Sequence, residues 1–162
     1  MVYIFLANGF EDVEAIQPRD LLLRAGIKVT TVGVGAKTVK SAFGLTVTAD
    51  ITEDELNLAD ADAVVFPGGM PGAKNLDEHE GVRAALVRHA EQQKLIGAIC
   101  AAPMVLGHLG LLRGKRATCY PGFETELEGA TYTAEPCTAD GNIITEACNG
   151  GPGIIKADLY PG

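Results

Sequence analysis

A chain of 162 residues with 47% hydrophobic and 21% charged side chains can bury roughly two thirds of the surface its unfolded form exposes, which rules out a disordered or fibrous protein. Thirteen basic against twenty-one acidic side chains leave a formal charge of -8, which repels a phosphate backbone and argues against nucleic acid as a partner. The opening MVYIFLANGFED has no basic leader region and meets charge too early for a signal peptide or a span of about 20 residues, so a cytoplasmic protein that avoids membranes is expected.

In chain order, short Val- and Ile-rich runs alternate with segments of helical period, the pattern of parallel strands joined by crossover helices. Val2–Leu6, Lys28–Val34, Ala63–Phe66, Leu95–Ile99 and Arg116–Tyr120 read as strands. Val13–Ala25 reads as a helix with Leu21, Leu22 and Ala25 on one face and Gly26 as its stop. Pro18 implies that this helix starts near Gln17 or bends there.

LTVTADI at Leu45–Ile51 alternates like a half-exposed strand. Glu80 to Gln92 reads as a helix with Val82, Leu86, Val87 and Ala90 forming its buried stripe. A third helix follows Cys100 through Pro103 to Leu109, and Tyr132–Thr145 reads as a hairpin turning at Ala139-Asp140-Gly141-Asn142. Leu45–Ile51 and the hairpin read as antiparallel additions to a parallel core. No repeat, low-complexity tract or linker divides the chain, so one domain over residues 1–162 is expected.

Four cysteines, Cys100, Cys119, Cys137 and Cys148, show neither a C-x-x-C pair nor disulfide-scaffold spacing, so a special cysteine points to catalysis or redox chemistry. The sharpest signal is Leu95-Ile-Gly-Ala-Ile-Cys100-Ala-Ala-Pro103, where an apolar strand stops at a cysteine and a helix starts at once. That is the pattern of a nucleophile elbow. Helix-start amides favour thiolate over thiol there, while a small buried hydrophobe is an equally available role for such a residue.

Ala63-Val-Val-Phe66-Pro67-Gly68-Gly69 runs a strand into glycines at the sheet edge where ligands of open α/β sheets bind. Gly68 and Gly69 are therefore candidate oxyanion donors, together with the amide of Ala101 beside the nucleophile; a plain turn is the other reading. The carboxylates of Asn8-Gly-Phe-Glu-Asp-Val-Glu14 fall at the same edge. Glu14, between apolar neighbours, is the one expected to turn inward, stay protonated and couple its titration to Cys100. Asn8, Tyr120 and Cys119 are expected at the edge of the site.

His79, His89 and His108 are the only histidines, and their positions on helices make each a poor catalytic candidate. No pair of residues shows zinc-site spacing, so no metal and no cofactor is expected.

LANGFEDVEAIQP, VVFPGGMPGAKNL and IGAICAAP, in this order and at these separations, resemble the three signature segments of the ThiJ/PfpI superfamily. The resemblance covers about residues 1–153. It implies a flavodoxin-like α/β three-layer sandwich with a mostly parallel sheet, a homodimer, Cys100 as the family's reactive cysteine, Glu14 as its protonated acid, and Gly68 and Gly69 as its oxyanion-binding amides. The deglycase branch often carries a histidine on the strand after the elbow, and Tyr120 stands there in this chain.

The peptidase branch places a histidine directly after the nucleophile, where this chain has Ala101, so peptidase activity is disfavoured. The downstream His and Glu of glutamine amidotransferases have no counterpart. After Asn149-Gly-Gly-Pro-Gly153 the family continues into a long helix, whereas Ile154–Gly162 is short, so that helix is expected to be missing or replaced.

Two functions follow from the resemblance. One is a cysteine-dependent enzyme of glyoxalase or deglycase type, acting on a small reactive carbonyl through the Cys100 thiolate. The other is a redox sensor or stress chaperone in which an oxidant converts Cys100 to the sulfinic acid. A role near thiamine precursors rests on the ThiJ name alone, and no residue here indicates a thiazole or phosphate site.

Overall fold

The computed structural model describes residues 1–147. Cys148, the Asn149–Gly153 segment and the short tail expected after it lie outside the described residues.

The central sheet is built from β1 (Val2–Leu6), β2 (Val29–Gly33), β5 (Ile51–Thr52), β6 (Ala63–Phe66), β7 (Leu95–Ile99), β10 (Cys137–Asp140) and β11 (Ile143–Glu146). The strand order is β10-β11-β7-β6-β1-β2-β5, with every pairing parallel except β10 to β11. Helix α1 (Asp12–Arg24) carries the crossover from β1 to β2, and α2 (Gly72–Glu78) and α3 (Glu80–Glu91) carry the one from β6 to β7. Helix α4 (Pro103–His108) follows β7 directly.

Side chains of the sheet alternate between two cores. Tyr3, Phe5, Val64, Phe66, Ile96 and Ala98 join Leu76, Leu86 and Leu106 of α2, α3 and α4 on one face. Val2, Ile4, Leu6, Val65 and Ile144 join Ala15 and Leu22 of α1 on the other. Phe5 and Phe66 stack at 4.8 Å across neighbouring strands. Helices on both faces of a mostly parallel sheet give a three-layer, flavodoxin-like α/β fold, and the chain reverses direction across the sheet between β1 and β6, where such folds open a crevice.

Several expectations need correction. Helix α1 neither starts at Gln17 nor stops at Pro18. It runs through from Asp12, burying Glu14, Ala15, Pro18 and Leu22. Pro18 forfeits the bond to the Glu14 carbonyl, yet the spacing 14-18-22 keeps one stripe on the sheet and turns Glu14 inward. Gly26 does end the helix, with φ 78° and its N–H on the Leu23 carbonyl.

Leu45–Ile51 is not one strand. Thr46–Thr48 (β4) pairs with Thr38–Lys40 (β3) as a separate antiparallel ribbon, and Ile51–Thr52 joins β2 in parallel. The break falls where Asp50 turns in to accept from the Thr31 amide at 2.9 Å and its hydroxyl at 3.0 Å. Arg116–Tyr120 yields only Arg116–Ala117 (β8), paired with Thr131–Tyr132 (β9) outside the main sheet, because Thr118 gives its N–H to the Thr145 hydroxyl instead of a ladder. The hairpin forms with its turn as expected, but β11 is a parallel strand beside β7 and only β10 is an antiparallel addition.

Helix α2 was not anticipated, because Pro71 and Gly72 hide its start. The buried face of α3 is Val82, Ala85, Leu86 and His89, with Val87 and Ala90 only half-buried. Truncating Leu86 to Ala should therefore cost about 2–5 kcal/mol, against under about 1.5 kcal/mol for Val87→Ala, in urea unfolding.

Candidate functional site

Strand β7 ends at Ile99, and Cys100 follows with φ 62°, a left-handed conformation rarely held by a residue with a side chain. Two backbone bonds fix it. The Cys100 N–H donates to the Glu146 carbonyl at 2.7 Å, and the Cys100 carbonyl accepts the Tyr120 N–H at 2.9 Å. Ala102 then bonds back to Ile99 at 2.9 Å, and Pro103 opens α4 at a position where its missing N–H costs nothing. The strand-to-helix turn read from the sequence is present, and Cys100 is half-buried.

Glu14 reaches the turn from the first turn of α1. Its side chain is 5% exposed, and Oε2 accepts the Gly68 N–H at 2.6 Å. The position that a Cβ on Gly68 would take lies 2.7 Å from Glu14 Oε2, 2.7 Å from Cys100 Cβ and 2.7 Å from the Ile99 carbonyl. The carboxyl and the cysteine thus face each other across a side chain that glycine does not have. Glu14, Gly68 and Cys100, drawn from α1, the end of β6 and the end of β7, form one constellation.

A chain whose three motifs converge in this way matches the model of the DJ-1/PfpI family over residues 1–152. The chain belongs to this family. It is 34% identical over 155 residues to the Parkinson disease protein 7 homolog of Danio rerio, covering 93% of this chain and 80% of that protein. It is 32% identical over 163 residues to a protein of Pyrococcus horikoshii named a deglycase, covering 99% and 93%. Protein DJ-1 homolog B of Arabidopsis thaliana is 34% identical over 154 residues, 94% of this chain, but this chain spans only 34% of that protein's length. Among solved structures, a DJ-1 superfamily protein of Salmonella typhimurium, as a cysteine-to-alanine mutant, superposes with a TM-score of 0.86 at 38% identity over 90% of this chain and 80% of its own. Oxidized DJ-1 of Toxoplasma gondii gives 0.85 at 33% over the same shares.

Within this DJ-1/PfpI site the other expected residues take varied places. The Gly68 N–H is committed to Glu14, which corrects its expected role as an oxyanion donor. Gly69, at φ 85°, packs against the first loop: a Cβ there would fall 2.5 Å from the Glu11 amide. Ala101 is buried directly after Cys100. Asn8 Oδ1 accepts the Lys40 N–H at 3.0 Å, so its side chain anchors β3. Tyr120 touches the elbow through its backbone while its side chain is largely exposed.

Cys119 is fully buried. Burial, with the Glu124 charge adding, pushes its thiol up to about 11 against a stabilising Phe123 amide. Among the described residues no cluster of three His, Cys, Asp or Glu side chains is placed to hold a metal, and no helix is long and apolar enough to cross a membrane.

Glu146 was missed. Its carbonyl holds the Cys100 amide, and its buried side chain shares a sheet face with Ile99, its register partner on β7. The signal was available: an acid closing the apolar run Ile143-Ile-Thr-Glu146 at the same sheet edge as Cys100.

Two outcomes follow. Gly68→Ala forces a Cβ into three contacts at once and should cost about 1–3 kcal/mol in unfolding free energy, with the alkylation rate of Cys100 altered as Glu14 shifts. Cys119, raised to about 11, should carry a thiolate in only about 1 of 100 molecules at pH 9. Mass-resolved iodoacetamide labelling of the folded protein from pH 6 to 9 should leave it unmodified while Cys100 reacts.

Proposed function

We propose that this one-domain chain is a cofactor-independent enzyme acting on small reactive carbonyls, of the glyoxalase or deglycase type, with Cys100 as nucleophile. The observation that carries the reading is the placement of Cys100 Cβ and Glu14 Oε2 at equal distance from the missing Gly68 side chain. The name of the Pyrococcus horikoshii relative, a deglycase, lends support.

In this scheme one oxygen of Glu14 accepts from Gly68 and the other carries a proton toward the sulfur, a neutral acid being the cheaper state for a buried carboxyl beside a thiolate. The Cys100 thiolate adds to the aldehyde carbon of a 2-oxoaldehyde. A C–S bond forms, and the carbonyl electron pair moves to oxygen, where the Ala101 and Gly69 amides are the remaining backbone donors. Glu14 then relays a proton from the former aldehyde carbon to the neighbouring carbonyl side, leaving a thioester of the 2-hydroxy acid. Water cleaves the thioester, releasing the acid and restoring the thiolate.

A homodimer and a cytoplasmic setting belong to the same proposal. Val13, Ile16 and Leu23 leave an exposed apolar stripe on the outer side of α1, and Cys100, Cys119 and Cys137 are all free thiols, as a reducing compartment keeps them.

The alternative, a redox sensor without turnover, is favoured by one observation: a solved relative with 33% identity is described as oxidized. Cys100→Ala should abolish conversion of methylglyoxal to lactate, and Glu14→Gln should lower kcat by about 10²–10⁴. Unchanged turnover in Cys100→Ala refutes the enzyme. If wild-type turnover is nil while mild peroxide adds two oxygens to Cys100 alone, the sensor replaces it.

A further inference from the structure

His108 closes α4, the helix that starts three residues after Cys100. Both of its ring nitrogens face carboxylates. Nδ1 lies 2.8 Å from Asp77 Oδ2 on α2, and Nε2 lies 2.6 Å from Glu126 Oε2 in the 3-10 turn Glu124–Glu126. A carboxylate only accepts, so a ring held on both sides has to donate from both nitrogens, and only the imidazolium does that.

The cluster connects to the elbow through the backbone. Glu126 N–H donates to the Phe123 carbonyl at 3.0 Å, Phe123 N–H to Tyr120 at 3.1 Å, and Tyr120 N–H to the carbonyl of Cys100 at 2.9 Å. The turn also lies directly on α4, since a Cβ on Gly107 would fall 2.1 Å from the Glu126 carbonyl. The segment that ends at the cysteine is thus fastened at its far end by one imidazole.

We infer that His108 is a positioning residue and a pH-responsive latch: as the imidazolium it holds segment 120–127 against the Cys100 elbow, and as the neutral ring it releases that segment through Glu126. The consequence for chemistry rests on the proposed role of Cys100; the latch itself does not.

The two arms are unequal. A neutral ring keeps one N–H, and the lone pair of its other nitrogen then faces a carboxylate. Asp77, 17% exposed, retains Arg83 Nη1 at 2.7 Å on its second oxygen. Glu126, 44% exposed, turns to water more readily, so it is the arm that opens.

Asp77 from α2, Arg83 from α3 behind it and Glu126 from the turn are the charged groups around the ring. Burial alone lowers the imidazolium's hold on its proton, but the hydrogen bonds to Glu126 and Asp77 and their charges outweigh it, and His108 is pushed up from the ordinary value. A raised value means that the latch is complete below the unfolded-state value of about 6.5 and is lost as pH rises through the folded one.

The test follows the ring and the segment separately in the full chain from pH 5.5 to 9. Histidine-labelled NMR should give a His108 midpoint above that of free imidazole, falling in Glu126→Gln and in Asp77→Asn. Hydrogen-exchange protection of residues 120–127, corrected for intrinsic rates, should drop several-fold across that midpoint, while β1 stays unchanged, and His108→Gln should remove the step. An equal midpoint in wild type and both variants, or protection without a step at that midpoint, overturns the latch. Repeating the exchange in Cys100→Ala separates the two claims: a step that persists there while turnover also persists sinks the enzyme and leaves the latch standing, and a missing step with Cys100-dependent turnover does the reverse.

Discussion

Cys100 sits at φ 62°, a conformation that costs an L-residue about 1–3 kcal/mol and lasts only where neighbours over-determine it. Here the neighbours are Glu146, whose carbonyl takes the Cys100 amide, and Tyr120, whose amide takes the Cys100 carbonyl. Because β11 runs parallel to β7 in register from Ile143 to Glu146, the sheet itself places the first of these. The sheet therefore supports the strained turn, and the turn aims the cysteine side chain out of the strand toward Glu14. Without either bond the residue would relax toward ordinary backbone angles and the side chain would swing away from the carboxyl.

The second dependence is on an absence. Gly68 brings three chain segments within contact of one point, and any side chain there would separate them. Its amide also anchors the carboxyl that faces the cysteine. Glu14 in turn reaches that amide because α1 continues unbroken through Pro18. The helix gives up a hydrogen bond at Pro18 and retains the stripe of Glu14, Pro18 and Leu22 against the sheet. Local propensity loses to tertiary packing at this point, and the loss is what delivers the acid.

The same balance explains what could be read without coordinates. The elbow at Cys100, the inward turn of Glu14 and the parallel core were legible because each has a local signature: an apolar run stopped by Cys-Ala-Ala-Pro, a carboxylate between Val13 and Ala15, and Val-rich runs separated by helical lengths. The partner of the Gly68 amide was not legible, since a glycine pair announces exposed N–H groups but not which acceptor reaches them. Nor was the break at Asp50, whose bond to Thr31 spans nineteen residues. His108 looked like an ordinary helix residue because its two carboxylates lie 31 positions before it and 18 after it.

The histidines settle how protons move at the site. His79 accepts the Val82 amide on Nδ1 and pairs with Glu53 through Nε2. His89 is sealed against the Leu95 carbonyl, and its burial pushes it down from the ordinary value. His108 is held between Asp77 and Glu126. Each imidazole thus serves packing or anchoring, and the strand position where a histidine often stands in relatives is taken by Tyr120, joined to Cys100 through backbone alone. A reaction at Cys100 that moves protons then falls to the acid across Gly68. Glu14 has to serve as both donor and acceptor through the cycle, a dual duty a carboxyl can perform only where its environment keeps both states within reach. The Gly68 amide steadies the charged form and burial favours the neutral one. That opposition is the physical basis on which one carboxyl does work that related sites share with an imidazole.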